Sequence, residues 1–158
     1  MPADPFQKAR AVAARYLGIA PRSRAEIEKR LLRDDFAPEI IEKVIEELAE
    51  NGWVDDTKLA QDWVADRGPR KGYGRTRLKQ ELKKHGVTKE TMEEALPPLD
   101  PEEEKAHALA AAERKWNRER LQALSKEQRM AEKRRCAAFL QRRGFNWDTI
   151  KKVLNELM

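Results

Sequence analysis

The sequence predicts an all-α protein built as an elongated, curved array of three tandem three-helix repeats. Apolar residues recur at helical spacing along nearly the whole chain, and no segment shows the alternation of apolar and polar residues that is typical of a strand. The stretch Arg24–Leu48 aligns without gaps with Arg75–Leu99, and a third copy follows. With 158 residues, 39% of them charged, the chain is long enough for such an array and charge-rich for a compact sphere.

The repeat is visible in the apolar positions. The second copy lies 51 positions after the first, and the third lies a further 58 positions along the chain. Three copies of one pattern indicate a repeat protein in which stacked neighbours complete the burial of apolar surface. The equivalent positions are Ile27, Leu78 and Cys136; Leu31, Leu82 and Leu140; Phe36, Val87 and Phe145; Ile41, Met92 and Ile150; Val44, Ala95 and Val153; Ile45, Leu96 and Leu154; and Leu48, Leu99 and Leu157.

Each copy predicts two helices joined by a short turn, and the entry to the second helix has consistent chemistry. In the first copy, Pro38 suits the first helical position. Thr88 and Asn146 stand at the equivalent entries of the other two copies, where their side chains can cap the helix. Ser23 and Glu26 form a capping box before the first copy's earlier helix.

A further helical pattern precedes each copy, so the repeating unit has three helices. The predicted repeats are residues 1–52, 53–99 and 100–158, and a proline cluster at 97–101 marks the second boundary. Near the first boundary, Asp55 or Asp56 is predicted to cap a helix rather than to act in a catalytic carboxylate pair. The apolar positions of the preceding helices are Ala9, Val12, Ala13 and Tyr16; Leu59, Ala60, Trp63 and Val64; and Ala106, Leu109, Ala110 and Trp116.

Composition predicts a soluble cytoplasmic protein. A single cysteine, Cys136, allows no internal disulfide and suits a reducing compartment. The N-terminal residues have no apolar core of the length that a signal peptide needs, and no run of about 18 apolar residues could span a membrane. We expect a monomer that does not contact membranes.

Positive charge is concentrated in the middle repeat. Residues 67–90 carry nine basic and two acidic side chains, against a net charge of +5 for the whole chain. Residues 114–143 form a second basic stretch, with 11 basic and three acidic side chains. Such blocks favour a polyanionic or acidic partner over a uniformly solvated surface.

The stretch RGPRKGYGRT, Arg67 to Thr76, combines glycines and basic residues as phosphate-binding loops do. It does not fit the phosphate-loop pattern, because Tyr73 and Gly74 occupy the positions of the required glycine and lysine. We predict a loop joining the first two helices of the middle repeat. The helix after Gly74 could attract anions at its N-terminus, and Arg75, Lys79 and Lys83 align on one of its faces.

Two interpretations of this basic face remain open: a groove for phosphate backbones, or a docking face for an acidic protein surface. No recognition helix with base-reading polar residues is evident, so any contact with nucleic acid would be independent of sequence. The four tryptophans, at positions 53, 63, 116 and 147, are predicted to be core or seam residues rather than stacking platforms.

The sequence contains no catalytic or metal-binding constellation. His85 and His107 lack partners at ligand spacing, and Cys136 occupies a repeated apolar position where burial is expected. No nucleophile has a base near it in the sequence. We therefore predict a binding protein with no cofactor and no metal, and not an enzyme.

Several of these features together resemble the RecX family, bacterial regulatory proteins that act on the RecA recombinase. They are Ser23 with Glu26, Ile27 and Leu31; the Gly52-Trp53-Val54-Asp55-Asp56 turn; Lys71-Gly72-Tyr73-Gly74 followed by Arg77, Glu81, Leu82 and Gly86; and Arg142-Arg143-Gly144-Phe145. The resemblance covers nearly the whole chain. Arg75 departs from it, since many relatives have proline or another small residue after Gly-Tyr-Gly.

The resemblance implies an array of three-helix modules that binds along the groove of the RecA filament on single-stranded DNA. It also implies inhibition of strand exchange and ATP hydrolysis, by blocking filament extension or promoting disassembly. The alternative function is a sequence-independent DNA-binding architectural protein, on single- or double-stranded DNA, that acts without RecA. The candidate contact residues are Arg67, Arg70, Lys71, Tyr73, Arg75, Lys79 and Lys83 as one face, with Arg142 and Arg143 as a second.

Overall fold

The computed structural model describes residues 4–158, and this part of the chain contains ten helices and no strand. The helices are α1 (Pro5–Ile19), α2 (Arg24–Arg33), α3 (Pro38–Glu50), α4 (Asp56–Lys71), α5 (Arg75–Lys84), α6 (Lys89–Ala95), α7 (Pro101–Glu113), α8 (Arg118–Gln122), α9 (Lys126–Arg142) and α10 (Trp147–Leu157). Helices α1–α3, α4–α6 and α7, α9 and α10 form three successive three-helix modules, which confirms the prediction of an all-α protein with three tandem three-helix repeats.

The chain forms two compact units. Unit 1 contains the residues up to Gln61 together with Leu82–Leu96, and unit 2 contains Asp62–Glu81 together with Pro97–Met158. The middle module is divided between them, because α4 and α5 each contribute residues to both units. The repeat boundaries at residues 52 and 99 stay a prediction.

Each unit has its own apolar core. In unit 1, residues of α1, α2 and α3 form a cluster that extends to Val54, with Ile27, Leu31 and Val44 completely buried. In unit 2, the cluster joins α7, α8, α9 and α10, and Cys136 and Leu140 are completely buried at its centre. Burial of these side chains against one another is the main stabilising contribution to each unit.

The turn between the last two helices of each module has the same geometry. Asp35, Gly86 and Gly144 occupy equivalent positions in the three copies, and all three have φ in the left-handed region, at 65°, 86° and 91°. In each turn the following amide donates a hydrogen bond to a carbonyl five residues earlier, as Phe145 does to Leu140. This is a Schellman arrangement, which satisfies carbonyl groups at the helix end.

The predicted caps are confirmed at the helix starts. The Ser23 hydroxyl accepts a hydrogen bond from the Glu26 amide, and the Glu26 carboxylate accepts one from the Ser23 amide, which completes the capping box. Thr88 and Asn146 cap α6 and α10 through their side chains. Asp55 accepts a hydrogen bond from the Lys58 amide in the first turn of α4.

Three details of the helix prediction are wrong. In α7, Ala108, Ala111 and Ala112 are buried, whereas the predicted core positions Ala106 and Ala110 are exposed. The helix is rich in alanine, whose small side chain fixes the helix face only weakly. The short helix α8 was not predicted, and its Leu121 packs into the core of unit 2. Leu99 is 40% exposed, because α6 ends at Ala95, before the proline pair.

Two of the four tryptophans also differ from the prediction. Trp53 is 69% exposed in the turn after α3, and Trp147 is 59% exposed at the first position of α10. Trp63 and Trp116 are half-buried, and their indole N–H groups donate to Glu81 and Glu132. A tryptophan at a turn or helix start need not meet a neighbouring helix, so residue type alone overstated burial here.

Candidate partner-binding surface

The basic stretch that was predicted to be a loop is mostly helical. Helix α4 continues through Arg67, Gly68, Pro69 and Arg70 to Lys71, and only the three residues 72–74 separate it from α5. Arg67, Arg70 and Lys71 therefore lie on a helix. The loop prediction followed from the backbone freedom of the glycines, which the surrounding structure overrides here.

Contacts at the end of α4 explain why it continues through Pro69. Gly72 has φ of 67°, and the Tyr73 amide donates to the Gly68 carbonyl, so the helix ends in a Schellman arrangement. The Arg114 guanidinium, at the C-cap of α7, donates to the carbonyls of Pro69 and Arg70 at 3.1 and 3.4 Å. These bonds satisfy carbonyl groups that the last turn leaves open, and they complement the negative end of the helix.

Tyr73 lies at the centre of a cluster of arginines. The Arg77 guanidinium stacks over its ring at 3.9 Å and donates to its hydroxyl at 3.1 Å. Arg143 approaches the same ring at 5.4 Å and donates to the carbonyl of Lys71. These contacts are cation–π interactions combined with hydrogen bonds, and they hold Tyr73 half-buried in a defined orientation.

The same region of unit 2 includes a close backbone approach. The Gly74 amide donates to the Arg143 carbonyl at 2.7 Å, and Arg77 donates to the carbonyl of Arg142 at 3.3 Å. A Cβ atom added at Gly144 would overlap the backbone of Arg77, and one at Gly74 would overlap the carbonyl of Gly144. The two predicted faces, one around Tyr73 and one at Arg142 and Arg143, are therefore a single surface.

An internal carboxylate occupies the N-terminus of α5, where we expected an anion-binding site. Glu104, on α7, is 8% exposed and accepts a hydrogen bond from the Arg75 amide at 3.0 Å. The Arg75 side chain donates to the Pro97 carbonyl at 2.6 Å. Because Glu104 supplies the negative charge that a helix N-terminus attracts, this end is not open to an external phosphate.

Arg67 also makes contacts within unit 2. Its guanidinium stacks over Trp63 at 3.9 Å and lies 4.0 Å from the Glu81 carboxylate. Arg77 is 3.6 Å from the same carboxylate. Glu81 thus links α4 to the arginine that covers Tyr73, and Arg67 is held in place by stacking and charge.

The remaining candidate residues differ in how far they are exposed to solvent. Arg70 is exposed and pairs with Asp66 at 3.0 Å; the hydrogen bond from Arg70 lowers the pKa of Asp66, and the same bond raises the pKa of Arg70. Lys79 and Arg142 are exposed, and neither side chain forms an ion pair with any residue in 4–158. Lys71 is half-buried. Lys83 is exposed in unit 1, so the surface described here consists of unit 2 residues alone.

Three residues that build this surface, Arg77, Glu81 and Glu104, were not among the candidate contact residues. Arg77 and Glu81 could have been found, because they lie four positions apart on one helix, where opposite charges attract. Glu104 could not, since it reaches α5 from a helix that starts 26 residues after Arg75, and no local pattern signals the contact. The candidate list therefore combined residues that face solvent with residues that hold the surface together.

Metal binding, cysteine chemistry and a membrane-spanning helix find no support in the described residues. No group of three or more histidine, cysteine or acidic residues within 4–158 could hold a metal ion. Cys136 is completely buried, and burial raises the pKa of its thiol to about 11, which makes it a poor nucleophile. None of the described helices has the length and apolar character needed to cross a bilayer.

Comparison with known proteins agrees with the architecture. Family models described as the first, second and third three-helix domains of RecX match residues 9–48, 55–96 and 102–154. A protein named Regulatory protein RecX from Thermobifida fusca is 34% identical over 98% of this chain and 81% of its own length. A protein of the same name from Mycolicibacterium smegmatis is 35% identical over 89% of this chain and 74% of its own length.

A solved structure has the same fold. The crystal structure of RecX from Lactobacillus salivarius aligns with a TM-score of 0.83 and 24% identity, covering 99% of this chain and 98% of that one. At this identity the likeness bears on the fold alone, whereas the three family models span most of the sequence. The chain therefore belongs to the RecX family.

Proposed function

We propose that this protein binds the RecA filament on single-stranded DNA and inhibits recombinase activity and ATP hydrolysis, by blocking filament extension or promoting disassembly. The observation that carries the proposal is the match of all three RecX domain models along the chain. Relatives over most of its length are named Regulatory protein RecX, which supports a regulatory role. We propose a monomeric cytoplasmic binding protein rather than an enzyme, and its single cysteine suits a reducing compartment.

We further propose that the filament contacts the surface around Tyr73. Lys79 and Arg142 present positive charge that no other described side chain neutralises, and Lys71 adds charge at the end of α4, beside the Arg70–Asp66 ion pair. Tyr73, Arg75 and Arg143 contribute by holding this surface in shape through their contacts within unit 2. A surface of one charge accelerates the encounter with an acidic partner and fixes its orientation.

The test measures ATP hydrolysis by RecA on single-stranded DNA while this protein is titrated in. The surface variant is Lys71→Glu, Lys79→Glu and Arg142→Glu, which alters exposed or half-buried cations and leaves the Tyr73 contacts in place. We expect the native chain to inhibit ATP hydrolysis at a ratio of less than one molecule per RecA protomer. The surface variant should need about tenfold more protein for half-inhibition, since reversed charges oppose the partner's field.

The matched control variant is Lys8→Glu, Lys58→Glu and Lys126→Glu. These lysines are exposed, form no ion pair within residues 4–158, and lie in the first turns of α1, α4 and α9, where an acidic residue suits the helix dipole. The control should inhibit like the native chain although its net charge equals that of the surface variant. Equal loss in both variants would refute the proposed surface.

The same titration separates the regulator from the DNA-binding alternative. An architectural protein would leave RecA hydrolysis unchanged at these ratios and bind bare DNA with an affinity that falls steeply as salt rises. Binding that requires the filament supports regulation. If neither variant nor the native chain alters hydrolysis, the filament proposal is wrong.

A further inference from the structure

A polar cavity of about 450 Å³ opens in unit 1, whereas the Tyr73 surface belongs to unit 2. One wall is α2, and the other is the end of α5 with the turn that follows it. A volume of this size lies in the range of small-ligand pockets in proteins, which is roughly 300 to 1,000 Å³. The ionisable residues that line it are Glu26, Lys29, Arg30, Arg33, Lys84 and His85.

The one carboxylate in this lining is engaged by the protein itself. One oxygen of Glu26 accepts a hydrogen bond from the Ser23 amide at 3.1 Å, and the other lies 3.0 Å from Nδ1 of His85. The Ser23 hydroxyl in turn donates to the carbonyl of His85. Glu26 is therefore part of a fixed network that joins α2 to the α5–α6 turn, and a ligand does not have to displace it.

Three cations around the cavity lack such partners. Lys29, Arg33 and Lys84 are exposed, and their side chains form no ion pair or hydrogen bond with any of residues 4–158. Arg30 is different, since it pairs with Asp34 at 3.2 Å. Lys29 and Arg33 are four positions apart on α2, so they extend from the same helix face, and Lys84 approaches from α5.

We propose that this cavity binds phosphate groups, carried either by a nucleic-acid strand or by a free nucleotide. A phosphate offers several acceptor oxygens and can engage separate lysine and arginine donors from two helices at once. An acidic peptide fits less well, because protein docking sites are centred on apolar or aromatic anchors. The aromatic side chain of this lining is Tyr16, and the Arg22 guanidinium already covers its ring at 4.0 Å.

The test uses the full chain without RecA, so its result is independent of the proposed filament binding. A fluorescein-labelled oligothymidylate is titrated with the protein, and its anisotropy is followed at several salt concentrations. The cavity variant is Lys29→Glu, Arg33→Glu and Lys84→Glu, and the reference is the control variant with Lys8, Lys58 and Lys126 reversed. Both variants change net charge equally, so only a local site distinguishes them.

We expect the cavity variant to bind the oligonucleotide at least about tenfold more weakly than the control variant at about 0.1 M salt. Its slope of log affinity against log salt should be shallower by about 2, since each lost phosphate contact on a single strand contributes roughly 0.7. If charge reversal unfolds the protein, judged by circular dichroism, the neutral variant with Lys29→Gln, Arg33→Gln and Lys84→Gln should show the same direction of change.

Competition distinguishes the two sources of phosphate. Displacement by unlabelled oligonucleotide but not by ATP assigns the cavity to a strand, and displacement by ATP assigns it to a free nucleotide. Nuclear magnetic resonance with either ligand should shift the amides of Ala25, Lys84 and Gly86, which line the cavity. Equal weakening in the cavity and control variants, or equal displacement by polyglutamate, would overturn the phosphate site.

Discussion

At the scale of single residues, the three equivalent turn positions place different demands on the amino acid. Asp35, Gly86 and Gly144 share the left-handed φ that favours glycine. Space is limited only at the two glycines, where an added Cβ would overlap Ala25 in unit 1 or Arg77 in unit 2. Asp35 is exposed, and aspartate is one of the residues that tolerate this conformation. The glycines therefore allow both the turn and a close approach between modules.

Replacing Gly144 and Gly52 by alanine separates the cost of the left-handed backbone from the cost of the close approach. The Gly144→Ala variant should lose about 2 to 4 kcal/mol of unfolding free energy, because a left-handed alanine costs roughly 1 and overlap with the Arg77 backbone adds about 1 to 3. Gly52→Ala is the matched control, since Gly52 has φ of 77° and nothing lies within 4 Å of its added Cβ. It should lose about 1 kcal/mol in the same urea titration. Equal losses would show that the approach at Gly144 relaxes freely.

At the scale of helices, the start of α5 depends on a side chain from α7. We expect Glu104→Ala to cost about 1 to 3 kcal/mol, because it leaves the partly buried Arg75 amide without an acceptor. Glu104→Gln keeps an acceptor and should cost about 0.3 to 1, the value of a charge at a helix N-terminus. Urea denaturation measures these losses. Hydrogen exchange at the Arg75 amide should also be faster in the alanine variant than in the native chain.

Glu103→Ala is the comparison for this prediction. Glu103 lies in the same first turn of α7 but is exposed, and its side chain forms no hydrogen bond with the described residues. The Glu103→Ala variant measures only the effect of losing a charge at the start of α7. We expect this to lower the unfolding free energy by a few tenths of a kcal/mol. If Glu103→Ala costs as much as Glu104→Ala, the bond to α5 contributes nothing measurable.

The helices show what the sequence could predict and why. Periodicity identified the helix pairs and their core positions, since large apolar side chains such as Leu31, Leu82 and Leu140 can be buried on one face only. Local rules also predicted the capping box at Ser23. The rules failed where a distant residue decides the outcome: Arg114 satisfies carbonyls at the end of α4, so the helix continues through Pro69.

The candidate surface was predictable in part for the same reason. Charge and glycine spacing singled out the segment around Tyr73, and charge also singled out Arg142 and Arg143. Which cations face solvent depends on contacts across 20 or more residues, such as Arg75 with Pro97 and Arg143 with Lys71. A list based on charge therefore cannot separate Lys79, which is exposed, from Arg67, which stacks on Trp63.

At the scale of the whole molecule, the middle module makes its contacts with the first module within unit 1 and with the third within unit 2. In unit 1, the α5–α6 turn meets the start of α2 through Ser23 and His85. In unit 2, the start of α5 meets the α9–α10 turn through Gly74 and Arg143. These pairs are equivalent by the repeat offsets, so one type of junction is used twice. The outer modules instead have cores composed of their own residues.

The outer modules have cores of their own, whereas the middle module contacts both neighbours, and this difference predicts how isolated fragments of the chain fold. Residues 1–55 and 100–158 each retain the core cluster of their unit, so each should show helical circular dichroism and a cooperative thermal transition. Residues 56–99 lose their partners at both junctions, and short helices such as the seven-residue α6 are marginal without tertiary contacts. We expect this fragment to melt broadly with low helicity. A cooperative transition there would mean that the middle module folds alone; a broad one would mean that the Tyr73 surface forms only when a neighbouring module is folded beside it.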